Sequence, residues 1–168
     1  MKVEFDVTVD EKDLIDYKIY HKYHAFSGWC EIILGIILLL LGAYALMNQE
    51  TMNLTFALLA LLFAVVFLIV IPVQLVLNAK KAMRGEAFAK PMHYVIDEEN
   101  ITVSMGEDKA GVSWDMVYRV KDTGKSILVY FTPTRANIIP KRELGEQLEA
   151  VKNVMTAGAG KYKVAFKN

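Results

Sequence analysis

Two stretches of this chain carry no charge: Ile32–Gln49 and Thr51–Ala79, parted by the single carboxylate of Glu50. A run of ~20 apolar residues, rising about 1.5 Å per residue, spans a hydrocarbon layer roughly 30 Å thick. A helix at the edge of a soluble core keeps a polar stripe for its solvent face, and neither run has one. The pair therefore predicts a transmembrane hairpin over residues 29–78. Composition agrees, since 54% of the 168 residues are hydrophobic and 23% are charged, an apolar balance for this length. Neither run reads as a signal peptide. The first follows a segment holding several carboxylates, whereas a signal needs a short basic start and a cleavage site.

The charges around the hairpin predict its orientation. The connector "MNQETMN", Met47–Asn53, holds no Lys or Arg, while Lys12, Lys18 and Lys22 precede the first span and Lys80, Lys81, Arg84 and Lys90 follow the second. Cationic flanks stay in the cytoplasm, so a cell-membrane protein with both termini inside is expected. Trp29 and Tyr44 fall where interfacial aromatics sit. Glu31, one turn into the first span, is placed to reach the inner headgroups. The short outer connector cannot build a ligand pocket, which argues against a receptor for external signals.

Gly28, Gly35 and Gly42 recur every seven residues, close to two helical turns, and so share one face. The second span offers Ala57, Ala60 and Ala64. Small residues let membrane helices approach closely, either within the hairpin or across a homodimer seam. Pro72 removes one backbone hydrogen bond and predicts a bend near the inner end.

After a basic linker, 79–90, the texture changes. Short alternating runs, "MHYVI", "ITVSM", "AGVSW", "YRV", "SILVYFT" and "RANII", are separated by turns rich in Asp, Glu and Gly. They predict six antiparallel strands within residues 91–168. Leu144, Leu148, Val151 and Met155 then stand at helical spacing, predicting an amphipathic helix that stops near Gly158. At the other end, "KVEFDVTV" puts Val3, Phe5, Val7 and Val9 on one face of a strand. Asp10, three before Asp13, reads as the N-cap of a following helix that completes residues 1–28. The strand is expected to join the C-terminal sheet as a seventh; the alternative is an independent amphipathic arm. The fold class is thus an α+β membrane protein, a two-helix hairpin plus a small pleckstrin-homology-like antiparallel domain with a C-terminal helix.

No catalytic constellation is visible, and the chain reads as a non-enzyme without a cofactor. There is no glycine-rich phosphate loop, no Ser-His-Asp order and no HExxH. His21 and His24 stand three apart on a predicted helix, with His93 elsewhere, but no ligand pattern accompanies them. Cys30 reads as a packed thiol at the inner membrane edge, and Trp114 as a core anchor. Formal net charge is zero, which gives no basic footprint for nucleic acid. In "NIIPKREL" Pro140 ends a strand, leaving Lys141 and Arg142 at a strand-to-helix corner, open to solvent or to anionic headgroups. The tail "KYKVAFKN" adds Lys161, Lys163 and Lys167, and reads as an added strand or a membrane-surface segment. These five cations are the candidate lipid or partner contacts; each cation near an anionic leaflet contributes about 1 kcal/mol.

"YVIDEENITVSM…GVSWDMVYRVKDTGKSILVYFTPTRANIIPKREL" resembles the YcxB-like family of small bacterial membrane proteins. Trp114-Asp115 after a strand and the ending Ile138-Ile139-Pro140-Lys141-Arg142 carry the resemblance. The front end, a strand, "DEKDLIDYKIYHKYH" and two spans, is similar too. The resemblance implies a pleckstrin-homology-like cytoplasmic domain on a two-span anchor, and no activity. The expected function is a membrane-anchored interaction module binding a protein partner, a second copy or inner-leaflet lipid. The alternatives are a subunit of an oligomeric transporter or channel, and a small immunity or stress-resistance membrane protein.

Overall fold

The computed structural model describes residues 2–85, 88, 90–160 and 163–166. The chain divides into two compact units, one of Met1–Leu14 with Met83–Asn168, the other Ile15–Ala82. The first unit is drawn from both ends of the chain.

Its strands follow the alternation of the sequence: β1 Val3–Val7, β2 Met92–Ile96, β3 Asn100–Met105, β4 Asp108–Ser113, β5 Arg119–Asp122, β6 Ser126–Tyr130, β7 Ala136–Pro140 and β8 Val164–Ala165. They form two four-stranded sheets, ordered β1-β2-β3-β4 and β7-β6-β5-β8. All pairings are antiparallel except that of β5 with β8. The N-terminal strand does join the sheet, pairing Val3 with Ile96, Phe5 with Tyr94 and Val7 with Met92. Phe5 and Tyr94 stack at 5.5 Å between ring centroids. This register turns Phe5, Val7, Tyr94, Ile96 and Ile101 to one buried face. Each such large apolar side chain contributes about 1.5–3 kcal/mol on burial. The β1–β2 pairing therefore holds the N-terminus with far more than its backbone bonds.

The C-terminal helix differs from the expected continuous one. It is a short helix α5, Lys141–Leu144, a 3-10 turn Gly145–Gln147, and α6, Leu148–Ala159. Gly145 adopts φ +48°, a left-handed value that glycine reaches without a Cβ penalty, and it breaks the helix there. The helix then runs through Gly158 and ends at Gly160, φ +76°. Val151, Val154 and Met155 are buried against the sheets.

The second unit is helical. α1, Glu11–Tyr23, begins in the first unit and continues into this one; α2 is Phe26–Met47. α3, Leu54–Val65, runs through a π-helical turn Val66–Val70 into α4, Ile71–Met83. Asn53 caps α3 by accepting from the Thr55 N–H at 2.8 Å. The π turn, where the Ile71 N–H bonds the Val66 carbonyl, ends two residues before Pro72. Proline lacks an N–H and its ring crowds the carbonyl four residues back, here Leu68. The widened turn makes room for it.

α2 and α3 pack on each other through their small residues. A Cβ on Gly35 would lie 2.7 Å from Leu68 Cδ2, and one on Gly42 would lie 2.7 Å from Leu61 Cγ. Ala57, Ala60 and Ala64 are buried on the facing stripe. Gly28 meets the Lys22 carbonyl instead, where a Cβ would sit at 2.2 Å. The large side chains point the other way: Leu40, Leu58, Leu62, Phe63 and Ile69 are all more than half exposed.

Candidate functional site

Pro140 ends β7 at φ −63° and caps α5, so its missing N–H interrupts no helix bond. The two cations after it do not point away from the protein. Arg142 Nη1 donates to Asp13 Oδ1 at 2.5 Å, and Nη2 donates to the Thr8 carbonyl at 3.0 Å. Asp10 Oδ2 lies 3.5 Å from Nη2, and Glu143 Oε1 lies 3.2 Å from Nε. Lys141 pairs with the Asp122 carboxylate, whose side chain is 1% exposed. Both cations at this corner are thus paired, Lys141 with a buried carboxylate, while Arg142 keeps 45% of its side chain exposed.

The Arg142 cluster clasps the N-terminus. Asp10 and Asp13 cap α1 reciprocally: the Asp13 N–H donates to Asp10 Oδ1 and the Asp10 N–H to Asp13 Oδ2, each at 2.8 Å. This is a capping box built from two aspartates. The Asp13 N–H, aided by Arg142, holds the Asp10 carboxyl below the usual carboxylate range. The hydrogen bond to Asp13 raises Arg142 in turn. One guanidinium thus ties the junction of β1 and α1 to α5.

A second cluster forms around Trp114, which lies in a 3-10 turn, Trp114–Met116, and is 3% exposed. Its indole N–H donates to the Asp97 carbonyl at 2.8 Å. The ring lies flat against α6 at Gly158, where a Cβ would come within 2.1 Å of Nε1. Lys163 Nζ donates to the carbonyls of Trp114 and Asp115 at 3.1 and 3.2 Å. Lys163 is therefore engaged inside the domain, next to β8. Lys161 and Lys167 lie outside the described residues.

Each of the three histidines has a neighbour that accounts for its place. His21 stacks on Tyr17 and His24 on Tyr20, with centroids 5.9 and 3.8 Å apart, and His93 pairs with Asp6 at 2.8 Å. Among the described residues no group of three or more His, Cys, Asp or Glu could hold a metal ion. Cys30 is a free, exposed thiol rather than a packed one. The sequence places Asp13 at a helix start and Gly158 at a helix end, but not the Arg142 and Trp114 that meet them, and it singles out Asp122 in no way.

An apolar groove of about 460 Å³ opens between the two sheets. Three cross-strand pairs of β3 and β4 line one wall: Ile101 with Val112, Val103 with Ala110, and Met105 with Asp108. Phe131 and Asn137 stand on the other wall, and Met92 and Lys109 of the first sheet complete the lining. The wall continues the buried face of β1 and β2, but burial fails along it. Ile101 is 1% exposed, whereas Val103, Met105 and Val112 are half-buried and Ala110 is exposed. Tyr94 is fully buried beside this wall, its hydroxyl donating to Met92 Sδ at 3.9 Å, and burial pushes that phenol's pKa up.

The family model described as YcxB-like protein matches residues 96–155. No curated protein and no solved structure matches the chain. The matched segment runs from the last residue of β2 into α6 and contains Trp114-Asp115, the β7 ending and Arg142. Over residues 96–155, the greater part of the two-sheet unit, the chain is shown to be similar to the YcxB-like family.

Proposed function

We propose that the protein is a membrane-anchored interaction module, its two-sheet unit holding a protein partner at the cytoplasmic face of a two-span hairpin. One observation carries the anchor. Helices of 22 and 30 residues, Phe26–Met47 and Leu54–Met83, bury only 17% of their most apolar windows. They spend glycine and alanine on each other and turn Leu, Phe and Ile outward. Water penalises that arrangement by about 25 cal/mol per Å² of apolar surface, whereas lipid does not. The Lys and Arg distribution around the hairpin supports cytoplasmic termini.

Two mainly antiparallel sheets closed by a C-terminal helix support the pleckstrin-homology-like reading of the domain. Such a fold carries many functions and specifies none. A protein partner is favoured over a lipid headgroup because Lys141, Arg142 and Lys163 are already engaged by carboxylates and carbonyls. A channel or transporter subunit is the second reading. It would need several copies, since two spans enclose no pore. Photo-crosslinking in native membranes separates the two. A specific heterologous adduct on the domain supports the module. A ladder of self-adducts through the hairpin supports the pore and overturns it.

A further inference from the structure

We infer that the groove and the outer edge of β4 together take an extended segment of another polypeptide, added as a fifth strand to the first sheet. This inference rests on the module reading above. Among the described residues β4 is the last strand of its sheet, so on its outer side alternate N–H and C=O groups face away from β3. Asp108, Lys109, Ala110 and Gly111 are all exposed, which leaves those groups open to a partner. The same strand forms a wall of the apolar groove through Ala110 and Val112. An added strand satisfies both features together, because its backbone bonds β4 while every second side chain enters the groove. A compact apolar ligand would fill the groove and leave the edge in water.

Two details define the partner's chemistry. A Cβ at Gly111 would meet only Thr102 Oγ1, at 3.7 Å. Among the described residues nothing requires a glycine there, and its absent side chain leaves the edge open to a neighbouring backbone. Among the described residues Asp108 is the one carboxylate lining the groove; the register puts it on the face of Ala110 and Val112, opposite Met105, whereas Lys109, which also lines the groove, falls on the alternate face. The partner segment is therefore alternately apolar, with a Lys or Arg at the end that reaches Asp108.

The test uses the full-length protein in nanodiscs and a panel of fluorescent seven-residue peptides. Positions 2, 4 and 6 are Val, Ile, Leu or Phe, and a lysine stands at either end. A paired set has alternate backbone nitrogens methylated on one edge or the other. At least one peptide should bind saturably and slow hydrogen exchange across Asp108–Ser113. One of its two methylated versions should bind tenfold or more weaker, and so should the parent peptide to Ala110→Glu, a change at an exposed position. The proposal falls if no peptide binds, if both methylated versions bind as well as the parent, or if exchange at β4 is unchanged. It also falls if lauric acid, run alongside, occupies the groove and no peptide does.

Photo-crosslinkers at Val112 and at the exposed Tyr118, in native membranes, keep the two readings apart. A heterologous protein adduct at Tyr118 alone leaves the module standing and removes the β4 site. A self-adduct or a lipid adduct at Val112 names another occupant and also removes it. No heterologous adduct at either position overturns both.

Discussion

Replacing Gly158 with alanine should destabilise the two-sheet unit, although helix propensity argues the reverse. Alanine is favoured over glycine inside a helix by about 1 kcal/mol, and less at the penultimate residue of α6. Against this, the new Cβ would lie 2.1, 2.4 and 2.5 Å from Nε1, Cδ1 and Cε2 of Trp114. The indole has nowhere cheap to go. It is 3% exposed, and its N–H is committed to the Asp97 carbonyl at 2.8 Å. Overpacking of this kind costs about 1–3 kcal/mol, and straining the indole hydrogen bond adds about 1. After the propensity gain, a net loss of about 1–3 kcal/mol is expected. Native-state hydrogen exchange of the full-length protein in nanodiscs reads it, through the amides of β5, β6 and α6. In a Trp114→Phe background, where the five-membered ring is gone, the same change should cost far less, giving a coupling energy above 0.5 kcal/mol. If Gly158→Ala proves neutral or stabilising in the wild-type background, the contact between indole and helix does not exist as described.

Arg142→Ala should loosen β1 selectively. It strips a partner from Asp13, whose side chain is 7% exposed; since Arg142 itself is 45% exposed, the loss is discounted to about 1–2 kcal/mol. Asp13→Asn in that background should restore part of it, as read by exchange of the β1 amides. Stability should also fall at both extremes of pH. Asp10 and Asp97 are held below the ordinary carboxyl value by backbone N–H groups, so their contributions are present above pH ~4 and are lost as acid protonates the folded carboxylates. Tyr94 is raised by burial, so its contribution is full below pH ~10 and declines above it; flat melting temperatures from pH 2 to 5 and from 9 to 11 would contradict this pair. In the hairpin, Gly42→Leu should lower the melting temperature of the purified protein through the clash with Leu61, whereas Gly124→Ala, with nothing within 4 Å, should leave it unchanged.

Strand-level information was legible because alternation is a local property. Phe5, Val7, Tyr94, Ile96 and Ile101 announce their faces by spacing alone, and Asp10-x-x-Asp13 announces a helix start. Even the joining of β1 to the C-terminal sheet could be argued, since a half-apolar strand needs a partner. The hairpin's small-residue stripe was equally readable, although Gly28, in the first turn of α2, packs on the end of α1 rather than in the seam. What stayed hidden depends on long-range neighbours. Arg142 reads as a surface cation until Asp13, far away in sequence, is folded against it. Asp122 looks like one more acidic turn residue until Lys141 covers it. The helix break at Gly145 and the seat of Trp114 on Gly158 come from packing that no periodicity reveals. The groove was invisible for the same reason, because it arises where two individually ordinary sheets fail to meet.

Cysteine accessibility in intact cells examines the anchor and its orientation together. In a Cys30→Ser background, single cysteines at Gln49 and Lys125 would be exposed to a membrane-impermeant maleimide before and after permeabilisation. The cysteine at Gln49 should label in intact cells, and the one at Lys125 only after permeabilisation. Labelling at Lys125 in intact cells, or protection of Gln49 until the membrane is opened, would contradict a cytoplasmic module held by a two-span hairpin.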